Sequence, residues 1–368
     1  MPHSIATSAR PKETPALDSS LVFVISPPRA GSTLLQRMLG SHSQIHTRAE
    51  PHLITPLAYL GYHDVIPKAP YDSIHAAEAI RGFVKELPQG EEDYLDALRA
   101  YAGTLYGRDL KASGKRFFLD KTPAYALVLP FLTRLFPQAS YVVLTRHPIA
   151  IFNSYADSFF GGDWNQAHRY NPVLERYVPS IADLLRKKPV PLLQVRYEEL
   201  VQKPEDELGR IFSFLGLQHE PEAVNYGAHI QVNSGRGDPI TVGQHSRPTT
   251  KSLTAWAREL SGNPKKYRLA ESMLERLDND DLCLWGHPRD EALSEVRYAS
   301  GLGDASGLGD ASGAARSASA AGGAGGKRRK RTRYAAQRRL LLWLRRHAHK
   351  PTIRALRYYC DVILRDRL

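Results

Sequence analysis

A chain of 368 residues with 42% hydrophobic content can bury a sizeable core, as one large domain or a domain with an appendage. Its two cysteines, Cys283 and Cys360, have neither metal-ligand spacing nor a disulfide framework, which points to a reducing compartment. The net charge of +12 is an uneven average: residues 327–368 hold 15 Lys/Arg against two Asp, a net of +13, which leaves residues 1–326 with 35 basic and 36 acidic side chains, a net of −1. Attraction to acidic partners therefore belongs to the C-terminal segment alone.

Residues 1–20 are polar and Pro-rich and are expected to form a disordered leader; nothing in them resembles a secretory signal. The apolar run Leu21–Ile25 is too short to span a membrane and suits a buried strand. Residues 21–298 read as one globular unit. Strands are predicted at Leu21–Ile25, Arg116–Leu119, Tyr141–Leu144 and Leu192–Val195, and helices at Ser32–Leu39, Ala124–Phe136, Ile149–Phe159 and Pro204–Leu215. Such alternation argues for an α/β fold with a largely parallel central sheet. Residues 299–326 carry Ser-Gly-Leu-Gly-Asp-Ala twice from Ser300 and then an Ala/Gly/Ser tract, the composition of a flexible linker.

Residues 327–368 open on Lys327-Arg328-Arg329-Lys330-Arg331 and continue with Leu340–Leu344 and with Ile353, Leu356, Cys360 and Ile363 at helical spacing. A basic helical tail of this kind suits an anionic membrane surface first, a docking partner second and nucleic acid least. The expected location is cytoplasmic, peripheral to a membrane through this tail.

The start of the chain's globular part has the layout of a phosphate-binding loop: strand Leu21–Ile25, turn Ser26–Gly31, and a helix from about Ser32. Unpaired N–H groups and the positive end of the helix dipole face an anion there. The loop lacks the Gly-Lys-[Ser/Thr] ending of a Walker A motif. Arg29 is instead the cation inside it, able to bind two oxygens of one phosphate or sulfate, with Ser32 and Thr33 adding hydroxyls. An ordinary turn bearing a surface arginine is the plainer reading. A second anchor lies at Arg146, at the end of the Tyr141–Leu144 strand. Ser154 follows about two helical turns on, so charge and hydroxyl can grip one phosphate together.

The run Pro28-Arg29-Ala30-Gly31-Ser32-Thr33-Leu34-Leu35, the Arg146/Ser154 pair and the unit Val195-Arg196-Tyr197-Glu198-Glu199-Leu200 together resemble the PAPS-dependent sulfotransferase family. The likeness is strongest to its tyrosylprotein and bacterial branch. The resemblance implies a P-loop-like three-layer α/β sandwich around a parallel sheet, and a sulfuryl transfer from PAPS to an acceptor hydroxyl or amine that releases PAP and needs no metal. It also implies that Arg29, Ala30, Gly31, Ser32, Thr33 and Leu34 hold the 5′-phosphosulfate, that Arg146 and Ser154 hold the 3′-phosphate, and that Tyr197 contacts the nucleotide.

Sulfuryl transfer needs a base for the acceptor and a cation for the leaving group. Glu50, in Thr47-Arg48-Ala49-Glu50-Pro51, stands where this branch carries its catalytic Glu, although the branch has Gly-Glu-Glu and this chain Arg-Ala-Glu. A pairing of Glu50 with Arg48 competes with that role, and His52 and His46 are alternative bases. Lys121, in Asp120-Lys121-Thr122-Pro123, resembles the lysine that stabilises the leaving group, against a plain pairing with Asp120. Residues 237–251 resemble a late loop over the nucleotide, from which Arg247 or Lys251 reaches the 3′-phosphate; Trp256 is expected to pack rather than stack on adenine. A P-loop kinase or NTPase with a degenerate loop, and a non-catalytic nucleotide-binding protein acting through its tail, are the competing functions. The acceptor class stays open among small molecule, lipid and peptide.

Overall fold

The computed structural model describes residues 17–66, 71–229, 245–260 and 263–300. The linker beyond residue 300, the basic tail at 327–368, residues 1–16 of the leader and residues 237–244 of the late loop lie outside the described residues.

Leu21–Ile25 is buried at every position and forms β1, the centre of a five-stranded sheet. It is flanked by β2 (Ile45–Thr47), β3 (Phe117–Asp120), β4 (Ser140–Thr145) and β5 (Leu192–Arg196) in the order β2-β3-β1-β4-β5. Every pairing is parallel; Phe23, for example, aligns with Asp120 on one side and Tyr141 on the other. Parallel neighbours require crossover connections, and these lay helices over the sheet faces. That is why β1, β3 and β4 are nearly continuous apolar runs. The fold is the expected P-loop-like α/β arrangement around a parallel sheet.

The order of strands places a topological switch beside β1. The chain first builds the β2–β3 side, then returns to build the β4–β5 side. Ligands of such sheets lie outside the carboxyl ends of the strands at that point. Arg29, Lys121, Arg146 and Tyr197 all follow the carboxyl ends of different strands.

Three local features differ from the sequence-based expectation. The strand β2 has only Ile45 buried, too little apolar pattern to announce a strand. It forms because β3 offers it a partner, with Thr47 Oγ1 donating to the Leu119 carbonyl at 2.8 Å. The expected helix Ala124–Phe136 is split into a 3-10 turn, Pro123–Leu127, and a helix, Leu129–Leu135, with Val128 out of helical geometry between them. Pro130, near the start of the second piece, brings no N–H to continue the first. Finally, Leu17–Ser20 of the leader is an ordered 3-10 turn. Leu17 packs on the main core, and Asp18 accepts the Gln138 N–H at 3.0 Å.

Candidate active site

The turn after β1 is shaped by two left-handed residues, Arg29 (φ 72°) and Gly31 (φ 97°). Gly31 is required twice over: its φ favours glycine, and a Cβ there would lie 2.4 Å from Cδ2 of Tyr197. The helix Ser32–Gly40 starts immediately afterwards with no side-chain cap on its first N–H groups. Its uncapped amides and the hydroxyls of Ser32 and Thr33 form a mouth that can receive an anion. Ala30 is buried, with its N–H turned back towards the Pro27 carbonyl at 3.4 Å.

Arg146 follows β4 and joins three parts of the chain. Its Nη1 donates to the Arg29 carbonyl at 3.1 Å and its Nη2 to the Ser252 carbonyl at 2.9 Å. Its guanidinium lies 4.3 Å from the centre of the Tyr197 ring, and the Tyr197 hydroxyl meets Ser252 Oγ at 2.6 Å. Burial pushes the Arg146 pKa below its ordinary value, with Arg29 adding to that effect and Tyr197 and Glu198 opposing it. Arg29 Nε donates to Ser154 Oγ at 3.3 Å, so the loop cation and the expected 3′-phosphate serine are neighbours.

Behind these groups, Trp285 Nε1 donates to the Arg146 carbonyl at 2.8 Å, and the His147 N–H donates to Glu198 Oε1 at 2.9 Å. Trp256 stacks on the buried His147 ring, with centroids 4.4 Å apart and planes 10° from parallel.

A cavity of about 460 Å³ opens in front of this assembly. Arg29, Gly31, Ser32, Thr33, Leu34, Arg146, Ser154, Tyr197, Arg247 and Lys251 all line it, so nearly every sequence-chosen nucleotide residue meets in one place. Its size suits a small-molecule site. Arg247 also pairs with Glu205 at 2.5 Å. Sequence reasoning missed Ser252, Tyr226 and Asn153 as lining residues, while Trp256, expected to pack, stacks on His147 at the cavity wall. A serine or aromatic residue on a late loop carries no signal without its partner, although Ser252 directly follows the chosen Lys251.

Next to Thr33 lies a charge pair with one buried member. Lys121, 1% exposed, donates from Nζ to Glu50 Oε1 at 2.5 Å and to Thr33 Oγ1 at 3.3 Å. Thr33 therefore touches both the cavity and the pair. His52 Nε2 stands 3.7 Å from the other Glu50 oxygen. Burial alone would raise the Glu50 pKa, but His52 and Lys121 outweigh it and hold the carboxyl at about 2.

The competing pairings are occupied elsewhere. Arg48 forms a two-pronged pair with Asp109, at 2.5 and 2.6 Å, and His46 contacts the same carboxylate at 3.2 Å. Asp120 accepts from Tyr106 (2.7 Å), Tyr125 (3.0 Å) and Thr122 (2.9 Å). Successive strand residues point to opposite faces, so Asp120 and Lys121 separate and take different partners.

Among curated proteins, the nodulation protein NoeE of Sinorhizobium fredii (strain NBRC 101917 / NGR234) is 29% identical over 266 residues, 66% of this chain and 61% of that protein, so the chain spans about three-fifths of the relative's length. Protein-tyrosine sulfotransferase 2 of Gallus gallus is 23% identical over 288 residues, covering 73% of this chain and 72% of the relative. Among solved structures, the sulfotransferase domain from the Synechococcus PCC 7002 olefin synthase is 25% identical, with a TM-score of 0.47 over 72% of this chain and 93% of that one. Residues 21–221, more than half of the chain, match the model of the sulfotransferase family, and the chain belongs to that family.

Proposed function

We propose that this protein transfers a sulfuryl group from PAPS to an acceptor hydroxyl or amine and releases PAP. One observation carries the reading: Thr33, at the start of the loop helix, lies between a cavity lined by Arg29, Arg146, Arg247 and Lys251 and the Lys121–Glu50 pair. The cavity supplies the charge for a nucleotide with two anionic groups, and the pair supplies a proton acceptor and a cation for the leaving group.

In this reading the loop amides, Arg29, Ser32 and Thr33 bind the phosphosulfate. Arg146 and Ser154 bind the 3′-phosphate, and Tyr197 braces Arg146 against the loop. The acceptor O–H or N–H gives its proton to the Glu50 carboxylate while its oxygen or nitrogen forms a bond to sulfur. The bond from sulfur to the bridging oxygen breaks, and the electron pair stays on the phosphate oxygen of PAP. Lys121 meets that charge. As its ammonium turns from Glu50 to the leaving oxygen, Glu50 loses an opposing charge and becomes a stronger base. The transfer requires no metal ion, so a chelator leaves its rate unchanged.

Calorimetry with PAP, ATP and GTP in the absence of magnesium tests the donor. Preferential binding of PAP supports the proposal, and preference for ATP or GTP overturns it in favour of a kinase or NTPase. Transfer of labelled sulfate from PAPS into a cell extract identifies the acceptor, and Arg29→Ala abolishes that transfer.

The proposal places the protein in the cytoplasm, held to an anionic membrane surface by residues 327–368. No helix among the described residues is long and apolar enough to cross a membrane. Flotation of the full chain with anionic liposomes, compared with residues 1–326, checks this; equal flotation of the two removes the membrane role.

A further inference from the structure

Glu50 sits in a strained loop. Glu50 (φ 22°) and His52 (φ 55°) both hold left-handed backbone angles, which non-glycine residues keep only where neighbours over-determine them. The incoming end is tied down by Gln36, whose Nε2 donates to Thr47 Oγ1 at 2.8 Å and to the Arg48 carbonyl at 2.7 Å. The outgoing end is tied down by Tyr125. Its phenol oxygen accepts the Ile54 N–H at 3.1 Å and donates its own proton to Asp120 Oδ2 at 3.0 Å. Tyr125 and Asp120 are both buried, at 0% and 1% exposure, so these bonds have no water to replace them.

Asp120 immediately precedes Lys121 at the end of β3. The same strand end thus supports both members of the charge pair: Lys121 directly, and Glu50 through Asp120, Tyr125 and the Ile54 amide. Neither Tyr125 nor Asp120 lines the nucleotide cavity.

We propose that Tyr125 and Asp120 are positioning residues for the transfer, holding the Glu50 loop in register with Lys121 through the Ile54 N–H. The inference rests on the reading of Glu50 as the proton acceptor. Tyr125→Phe keeps the ring and removes only the bridge. It should let the loop relax away from its strained angles, and Glu50 should then meet the acceptor in fewer productive geometries.

With the cell-extract acceptor that takes up labelled sulfate as substrate, the test measures kcat, KM for PAPS and PAP affinity for Tyr125→Phe, Glu50→Gln and the double variant. The expected result for Tyr125→Phe is a loss of kcat on the order of tenfold to a hundredfold, the scale of a small misplacement of a reacting group. The PAPS KM and PAP affinity should hold. Tyr125→Phe should add no further loss to Glu50→Gln, because both act through one carboxylate.

Tyr106→Phe is the second variant. Tyr106 donates to the same Asp120 oxygen at 2.7 Å, and Ile54 pairs with Tyr125 instead. It should lower Tm while kcat stays near that of the wild type. Full kcat in Tyr125→Phe, losses that multiply with Glu50→Gln, or a Tyr106→Phe as slow as Tyr125→Phe would each overturn the inference. Failure of the base assignment shows separately, as a Glu50→Gln that turns over normally.

Discussion

The Lys121 ammonium lies 2.5 Å from the Glu50 carboxylate, although 71 residues separate the two in the chain. The lysine is almost wholly buried while Glu50 keeps 20% of its side chain exposed. The pair is therefore sealed at the lysine and open to solvent at the carboxylate. In the proposed transfer, this asymmetry leaves the carboxylate accessible to an acceptor proton while the lysine is shielded from solvent.

Lys121→Met should lower kcat on the order of a hundredfold to a thousandfold, the scale seen when one donor to developing charge is removed. It should also change the pH profile. In the wild type Glu50 titrates at about 2, so the rate shows no acid limb from it in the ordinary carboxylate range. Without Lys121, burial is opposed by His52 alone, and the Glu50 pKa rises. The rate of the variant should then fall as pH drops through that raised value, read from kcat/KM across a pH series.

Gly31→Ala should abolish PAP binding. The added methyl meets the Tyr197 ring at 2.4 Å and the backbone angle of 97° disfavours any side chain. A cost of about 1–3 kcal/mol is expected from the strained angle, on top of displacement of Tyr197 from Arg146. Calorimetry with PAP and thermal denaturation measure the two effects separately.

Arg146→Lys keeps the charge but loses the fork. A lysine cannot reach both the Arg29 and Ser252 carbonyls and also sit over the Tyr197 ring, as Arg146 does. Losing charge-assisted hydrogen bonds of this kind should weaken PAP binding by about 1.5–3 kcal/mol, tenfold or more in dissociation constant. An Arg146→Lys protein with wild-type PAP affinity would remove Arg146 from the phosphate site.

His147→Phe should flatten the acid side of the stability profile. Burial, aided by neighbouring His287, pushes the His147 pKa from 6.5 to about 3. Glu198 and Glu295 also face the ring, from the helix after β5 and from the helix Arg289–Ser300. Between those two pH values the unfolded chain binds a proton that the native ring refuses, so stability falls as pH falls from 6.5 towards 3. A phenyl ring keeps the stack on Trp256 without titrating. Tm measured over that window should decline less steeply in the variant. Glu50 and Glu198, both held at about 2 against an ordinary 4.5, still cause a further loss below 4.5 in either protein.

Four of the five strands were legible as short apolar runs: β1, β3 and β4 because the parallel sheet buries them on both faces, and β5, at the sheet edge, through Leu192, Leu193 and Val195. β2 was not, since Ile45-His46-Thr47 becomes a strand only by pairing with β3. The split at Val128 was likewise hidden beneath a continuous apolar pattern. In the site, Arg29 and Arg146 could be chosen from sequence because each follows an apolar strand, where ligands of such sheets bind, whereas Tyr197 was indicated by the family resemblance alone. Tyr106 and Tyr125 gave no such signal. An aromatic residue in a helix reads as core, and its phenol acquires meaning only from the carboxylate and amide it reaches.

By itself the sequence determined the local chemistry: a strand, a lysine-free glycine turn and a helix start, with arginines and a lysine at strand ends. Those depend on neighbours within a few residues and on burial periodicity. The tertiary structure decided which charge meets which. Arg48, two residues from Glu50, goes to Asp109, and Lys121, beside Asp120, goes to Glu50. Strand pleating sends adjacent side chains to opposite faces, and parallel pairing brings distant strand ends together, so chain proximity does not select partners.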